Sequence, residues 1–344
     1  MSGALDQAAA GRSGTPAAPG AGAPLLEVKD LRMHIFVRRG EVKAVDGVNF
    51  SVRRGESLGI VGESGSGKSM TLLSVMQVLP QPGGRIVGGQ ILFEGEDLLR
   101  KTARQMRDIR GNRIAMITQD TLASLNPALT IGVQLREPLE VHLGMRGKAA
   151  NERALELLRH VQLSDPARQI RSYPHEMSGG MRQRVVGAIA IGCKPSLLLA
   201  DEPTTALDVT VQAQYLRLLR EIQKETDLGM IFVTHDFGIV AKVCDHVAVM
   251  YAGRIVETAA TRELFDRPLH PYSSALMDCL PQRNLDARLR TIPGHPPDLA
   301  QLPPGCGFAD RCSRVHERCR TEAPSLAEVA PGHKVACWDV EGAA

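Results

Sequence analysis

The stretch that most limits what this chain can become is GESGSGKS, residues 62–69, directly after the apolar run SLGIV. A continuous apolar run of this kind reads as a buried strand. The residues that follow, KSMTLLSVMQVL (68–79), predict a helix with Met70, Leu73, Met76 and Leu79 on neighbouring turns. Strand, tight loop and helix is the context a phosphate-binding loop requires, and Gly62, Gly67, Lys68 and Ser69 satisfy G-x-x-x-x-G-K-S. Glycines let the backbone curl with its N–H groups inward, and those donors together with a helix N-terminus favour an anion. The candidate phosphate site is therefore the run Gly62, Glu63, Ser64, Gly65, Ser66, Gly67, Lys68, Ser69 and Met70. Lys68 brings a charge to the β- and γ-phosphates, and Ser69 offers a hydroxyl to Mg2+. The bland alternative is a Gly/Ser-rich surface turn, against which the flanking strand and helix argue.

Such a site needs a carboxylate for the metal at the end of another buried strand, and SLLLADEP (196–203) supplies it. Asp201 is suited to hold Mg2+ through water, and Glu202 to polarise an attacking water. A helix cap by Asp201 ahead of Pro203 is the structural alternative, weaker after an apolar run. Between the two lies YPHEMSGGMRQR (173–184), where Ser178, Gly179 and Gly180 open a helical run and form a second anion-suited helix start. One ATP does not need two such sites from one molecule. Two molecules set head to tail would use both, each offering its Lys68 loop to one face of a nucleotide and its Ser178 loop to the opposite face of its partner's.

A chain of 344 residues with 43% hydrophobic and 23% charged residues is an ordinary globular chain with a sizeable core. Its net charge of +3 is too near balance to argue for a nucleic-acid partner, and none is expected. The longest uninterrupted apolar stretch, VVGAIAIGC (185–193), falls far short of the roughly 18 residues a membrane helix needs. Service at a membrane would therefore mean docking onto other subunits. Residues 1–24 are Ala, Gly and Pro-rich without the Leu-rich apolar core of a signal peptide, and read as a disordered tail.

Taken in order, these motifs resemble the ATP-binding subunit of ABC transporters, over residues 25–338. The resemblance implies an α/β fold, the P-loop NTPase of ABC type: a RecA-like core, an antiparallel β-subdomain, and a helical subdomain at about 120–178. Gln119 in MITQD matches the Q-loop, which with Ser69 and Asp201 attends the Mg2+. Ser178, Gly179 and Gly180 match the family signature, Asp208 in TTALD the D-loop, and His235 in IFVTHD the switch histidine. Alone, Gln119 reads as a solvated loop residue and His235 as a satisfied strand-end histidine. Their joint occurrence with the other motifs argues for the functional reading. Glu202 and His235 are then the catalytic pair, with ATP and Mg2+ as cofactors.

A finer match comes from TLASLNPALTIG (121–132), LFDRPLHPYSSALM (264–277) and IPGHPPDLAQLPPGCGFADRC (292–312), which resemble the oligopeptide/dipeptide (nickel) importer branch and its D-type subunit. Met177 and Met181 stand at the ends of the general L-S-G-G-Q signature, and Met181 lacks the hydrogen-bond donors of a glutamine amide. The family stacks adenine on an aromatic near the first strand; Phe36 in MHIFVRRG is the candidate, against Ile35 at the neighbouring register and a core role for the ring. The resemblance implies a heterodimer with a second ATP-binding subunit, two transmembrane permease subunits that place a coupling helix beside Gln119, and an extracytoplasmic solute-binding protein. It implies a peripheral position on the cytoplasmic face of the inner or plasma membrane. Import of nickel complexes is an alternative within this class. An ABC-type ATPase of DNA repair or translation is an alternative of another class. The first would carry a coiled-coil insertion between Lys68 and Ser178, where no heptad run occurs, and the second two ATPase cassettes in one chain.

Cysteines add a separate feature. Cys193, Cys244 and Cys279 are scattered and read as small buried hydrophobes. Cys306, Cys312, Cys319 and Cys337 cluster as C-x5-C-x6-C-x17-C among glycines and prolines. A cytosolic chain does not normally build structural disulfides, so four thiols point to a metal, either zinc or an iron–sulfur cluster, with unliganded thiols as the remaining alternative. The resemblance favours a 4Fe-4S cluster, since some peptide-importer ATPases carry one there. A non-enzymatic metal or redox regulator built on these cysteines would not need Glu202 and His235. The expected organisation is a tail (1–24), an ABC ATPase domain (25–270) and a C-terminal extension (271–344) bearing the four cysteines.

Overall fold

The computed structural model describes residues 22–38, 40–205, 207–280 and 291–340, so the expected tail lies almost wholly outside the described residues. The strands are β1 (Leu26–Val37), β2 (Gly40–Val52), β3 (Ser57–Val61), β4 (Gly84–Phe93), β5 (Glu96–Asp97), β6 (Ile114–Ile117), β7 (Leu197–Asp201), β8 (Gly229–Thr234), β9 (His246–Tyr251), β10 (Arg254–Ala260), β11 (Ala327–Ala330) and β12 (His333–Val335). The α-helices are α1 (Lys68–Met76), α2 (Ala103–Ile109), α3 (Thr121–Ser124), α4 (Ile131–Leu143), α5 (Gly147–His160), α6 (Pro166–Gln169), α7 (Gly179–Ile191), α8 (Val209–Thr226), α9 (Phe237–Val243), α10 (Thr261–Asp266), α11 (Pro271–Asp278) and α12 (Glu317–Thr321).

Two sheets organise them. One is antiparallel with the order β2-β1-β4-β5; the other has eight strands in the order β11-β12-β10-β9-β3-β8-β7-β6. In the larger sheet β3 runs parallel to both β8 and β9, and β7 lies parallel between β6 and β8. Every residue of β3, β7 and β8 is buried, the pattern of parallel strands covered on both faces. Alternation sorts their side chains: Leu197 and Leu199 enter a core with Leu72 and Val75 of α1 and Val45 of β2. Leu198 and Ala200 face the other way, onto Leu157, Leu158 and Val185 of the helical side. Each such leucine or valine contributes about 1.5–3 kcal/mol by leaving water.

β3 is central, so the loop after it leaves the carboxyl edge of the sheet, where open parallel sheets bind ligands. The helix expected over 68–79 stops at Met76, because Gln77 turns to φ 50° and its N–H closes on Leu73 and Ser74. Leu79 still packs on the core despite lying beyond the helix. Helices α3 to α6 fill the interval expected to be helical, with Ala154, Leu157 and Leu158 of α5 buried on one face. The run HVAVMYAGRIVE forms the antiparallel pair β9–β10.

The C-terminal segment joins this sheet. β12 pairs antiparallel with β10 through Glu257↔Val335, and the Ala336 N–H donates to the Val256 carbonyl at 2.8 Å. Beneath that junction Glu257 is completely buried. It accepts from the Leu269 N–H (2.8 Å), the His270 N–H (3.0 Å) and His333 Nε2 (2.8 Å). A lone buried carboxylate is very unfavourable, so this one persists because the chain on both sides supplies donors. Glu257→Ala strands these donors in a dry interior; urea denaturation of the full chain should report a loss of about 3 kcal/mol.

Candidate functional site

The site begins with backbone crowding. A Cβ on Gly62 would lie 2.1 Å from the Met250 carbonyl oxygen, and one on Gly67 would lie 2.2 Å from that of Ala44. Both glycines also have positive φ (156° and 103°), and Gly67 is the N-cap of α1. The loop is thus wedged between β2 and β9, and only glycine fits at its two ends. Inside the curl Lys68 is buried, and its Nζ donates to the carbonyls of Gly62 and Glu63, both at 2.8 Å. Burial lowers the Lys68 pKa, opposed by the negative charges of Glu202, Asp201 and Glu63. Ser66 is buried beside Lys68, whereas Ser64 and Gly65 form the exposed tip and Met70 packs on the core.

Asp201 ends β7, and Ser69 Oγ donates to its Oδ1 at 3.0 Å. Two of the expected magnesium residues are therefore in direct contact. Asp201 does not cap a helix: α8 is capped by Asp208, whose carboxylate accepts from the Thr210 and Val211 N–H groups. Glu202 takes φ 44°, a left-handed conformation rare for glutamate, held by its N–H on the Val233 carbonyl at 2.8 Å. That turn aims its carboxylate at three donors. His235 Nδ1 lies 2.9 Å from Oε1, while Thr205 Oγ1 (2.9 Å) and Gln119 Nε2 (3.2 Å) donate to Oε2.

The adjacent carboxyls are pushed apart. Burial raises Asp201, as does the Glu202 charge, against the Ser69 hydrogen bond and Lys68. Burial also pushes Glu202 up, but the His235 and Thr205 hydrogen bonds and the His235 and Lys68 charges outweigh it and hold its pKa below 4.5. An open groove of ≈ 720 Å³ runs from Ser69 and Asp201 past Gln119 to Ser124 and Ile189.

Lys68, Ser69, Gln119, Asp201, Glu202 and His235 are thus linked, directly or through one neighbour. Ser178, Gly179 and Gly180 are elsewhere: Ser178 caps α7 by accepting from the Met181 N–H, and among the described residues no hydrogen bond joins this start to the Lys68 cluster. Phe36 is 43% exposed, with the Arg85 guanidinium 5.6 Å from its ring centre, so it is not a core residue. Its neighbour Ile35 is the one that packs inward.

Three contributors escaped the sequence reading: Thr205 on Glu202, Tyr272, whose hydroxyl accepts the Glu63 N–H at 2.9 Å, and Arg311, which grips the Glu63 carboxylate. Arg311 stands in GFADRC, a stretch read for the family resemblance and for its cysteines. Pairings across 209 and 248 residues leave no local trace.

The four clustered cysteines, free of disulfides, line one small cavity with His270, Phe308 and Trp338. Cys193 and Cys244 are buried in the core as expected, and Cys279 is half-buried. Burial pushes the Cys306 thiol up to about 11, so a metal there would have to displace its proton. The space between the side chains is ≈ 10 Å³, room for about one water. Among the described residues no three His, Cys, Asp or Glu side chains come together as metal ligands, so an iron–sulfur or zinc site is not assembled in this geometry.

Comparison with known proteins follows the same lines. The ABC transporter family model matches residues 45–205, and the model of the oligopeptide/dipeptide transporter C-terminal region matches 256–319. A probable peptide ABC transporter ATP-binding protein of Sinorhizobium fredii is 51% identical over 91% of this chain and 94% of its own. The chain belongs to the oligopeptide/dipeptide family of ABC transporter ATP-binding proteins. The oligopeptide and dipeptide transport ATP-binding proteins OppD and DppD of Bacillus subtilis are 48% and 47% identical, each over 91% of this chain and over 88% and 94% of their own. Among solved structures, a dimeric bacterial ABC transporter cassette superposes with a TM-score of 0.62 at 26% identity, covering 69% of this chain and 99% of that one. The CbiO1 protein of Clostridium perfringens gives 0.60 at 26% identity, covering 71% and 91%. The ATPase shares their fold, and its chemistry is ATP hydrolysis. Among the described residues no helix is long and apolar enough to cross a membrane.

Because the Glu202 pKa is lowered in the fold, the ionised carboxylate stabilises the folded state above pH 4.5, and that increment fades as pH falls through the lower folded value. The stability difference between wild type and Glu202→Gln should therefore shrink on acidification from pH ~5 to ~3, followed by urea titrations at each pH.

Proposed function

We propose that this ATPase energises peptide import as one ATP-binding subunit of a heterodimer, docked on two membrane permeases that receive substrate from an extracytoplasmic binding protein. The observation that carries the reading is the convergence on Glu202 of His235, Gln119 and Thr205, next to the Ser69–Asp201 pair. Peptide as cargo is supported by relatives named for oligopeptide and dipeptide transport. The groove beside Gln119 is where a permease helix would sit and sense the Glu202 cluster. A position at the cytoplasmic face of the membrane follows from that docking.

In the mechanism we infer, Lys68 turns from the loop carbonyls to the β- and γ-phosphates; Ser69 and Asp201, with Gln119 beside them, would hold Mg2+, which would neutralise charge developing on the phosphates. Glu202 accepts a proton from the attacking water, whose oxygen bonds to the γ-phosphorus while the bond to ADP breaks. His235 holds the Glu202 carboxylate ionised and contacts the γ-phosphate. The Ser178–Gly180 helix start of each subunit covers the nucleotide on the partner's loop, with Asp208 at the same interface. Loss of the γ-phosphate removes the bridge between the two subunits. Phe36, exposed near the first hairpin, is the aromatic proposed for adenine. Glu202→Gln in the assembled transporter should cut ATP turnover by ~10²–10⁴ while leaving ATP binding intact. Normal turnover would remove Glu202 from the general-base role.

A second reading concerns the cysteines. We propose that residues 271–344 form an extension in which Cys306, Cys312, Cys319 and Cys337 bind an iron–sulfur cluster, with zinc as the alternative. Four free thiols around one cavity support it, although their side chains must separate to take a four-iron cluster. Elemental analysis and electron paramagnetic resonance of anaerobically purified full-length protein decide it. Iron with acid-labile sulfide supports the cluster, zinc supports the alternative, and neither metal removes both.

A further inference from the structure

Glu63 is the second residue of the phosphate loop, and its carboxylate does not face open water alone. Arg311 donates from Nη1 to Glu63 Oε2 at 2.6 Å and from Nη2 to Oε1 at 3.0 Å. This two-pronged geometry is the strongest form of carboxylate recognition by a side chain. The arginine is enclosed, with only 4% of its side chain exposed, while Glu63 retains 30%. The guanidinium is held in advance from both sides of the fold. Its Nε donates to the Pro293 carbonyl at 2.9 Å, and its Nη1 also reaches the Tyr251 hydroxyl at 3.2 Å. It lies 5.8 Å from the ring centre of Tyr251 and 5.9 Å from that of Phe308. Tyr251, Tyr272 and Phe308 pack edge to face or tilted at 4.5–5.3 Å, and the Tyr272 hydroxyl accepts the Glu63 N–H.

The electrostatic consequence has a definite sign. An unpaired carboxylate at this position would repel a polyphosphate, and in a partly desolvated site that repulsion is not screened away. Paired with Arg311, Glu63 is neutralised, and its backbone carbonyl stays where Lys68 Nζ meets it at 2.8 Å. We propose that Arg311 is a positioning residue of the ATP site, which acts through Glu63 by neutralising its charge beside the phosphates. On this view the C-terminal segment is part of the nucleotide-binding apparatus of the ATPase. The proposal rests on the assignment of the Lys68 loop to ATP.

The test is a double-mutant cycle in the full-length chain: Arg311→Ala, Glu63→Gln and the pair, with Arg311→Lys as the conservative variant. ATP affinity is read with a fluorescent ATP analogue, and KM and kcat in the assembled transporter. Arg311→Ala should raise KM for ATP about tenfold with kcat changed by less than about twofold. Arg311→Lys should recover part of that loss, because it restores charge but not the fork. In the Glu63→Gln background, loss of Arg311 should add less than about twofold, since the repulsion is already gone. An unchanged KM in Arg311→Ala, a fall in kcat alone, or KM effects that simply multiply would overturn the proposal. Should Arg311→Ala fail to fold, Glu63→Gln decides: KM at or below wild type supports the neutralisation, and a rise of about tenfold refutes it. A wild-type complex that binds no ATP would instead sink the assignment of the loop, an outcome separate from any difference among variants.

Discussion

The hydrogen bond from Ser69 to Asp201 joins the start of α1 to the end of β7, two elements separated by 132 positions in the chain. It can exist only because β3 and β7 flank the same strand, β8, and end at the same edge of the sheet. Everything chemical in the molecule is referred to that edge. Lys68 lies one residue before this contact and Glu202 one residue after it. A sheet whose strands were buried less completely would let this edge move, and the distances near 3 Å around Glu202 would not hold together.

Around that edge the fold manages charge by pairing opposites. Lys68 is buried among carbonyls and carboxylates, Glu202 is satisfied by three side chains, and Glu63 is gripped by Arg311. The adjacent carboxyls Asp201 and Glu202 titrate in opposite directions because only Glu202 has enough donors to offset its burial. The same device closes the sheet at its far side, where Glu257 collects donors from β12 and from the start of α11. Charged hubs therefore tie the C-terminal segment to the sheet and to the phosphate loop, and they do so where apolar packing alone would leave orientation loosely set.

The phosphate loop was legible in sequence because its glycines, lysine and serine are contiguous and bounded by a strand and a helix. The carboxylate pair was legible because four apolar residues lead into it. Gln119 and His235 were weak alone and became legible only as members of an ordered set. The Ser178 helix start is legible in one chain, and among the described residues no hydrogen bond joins it to the Lys68 cluster. Phe36 was harder: its alternation along β1 allows either face, and the strand carries register shifts that local pattern does not report.

By itself the sequence determined the phosphate loop and the carboxylate pair, since these depend on local spacing: continuous apolar runs, glycines beside one lysine, carboxylates at the end of a strand; the class of fold followed from the resemblance of the ordered motifs to a known family. The tertiary structure alone decided which partner each of those residues meets. His235 on Glu202, and Tyr272 and Arg311 on Glu63, are contacts between distant segments. Such contacts carry no periodicity, because they arise from strand order and packing. Their energies come from shared burial, a property that no short window of sequence contains.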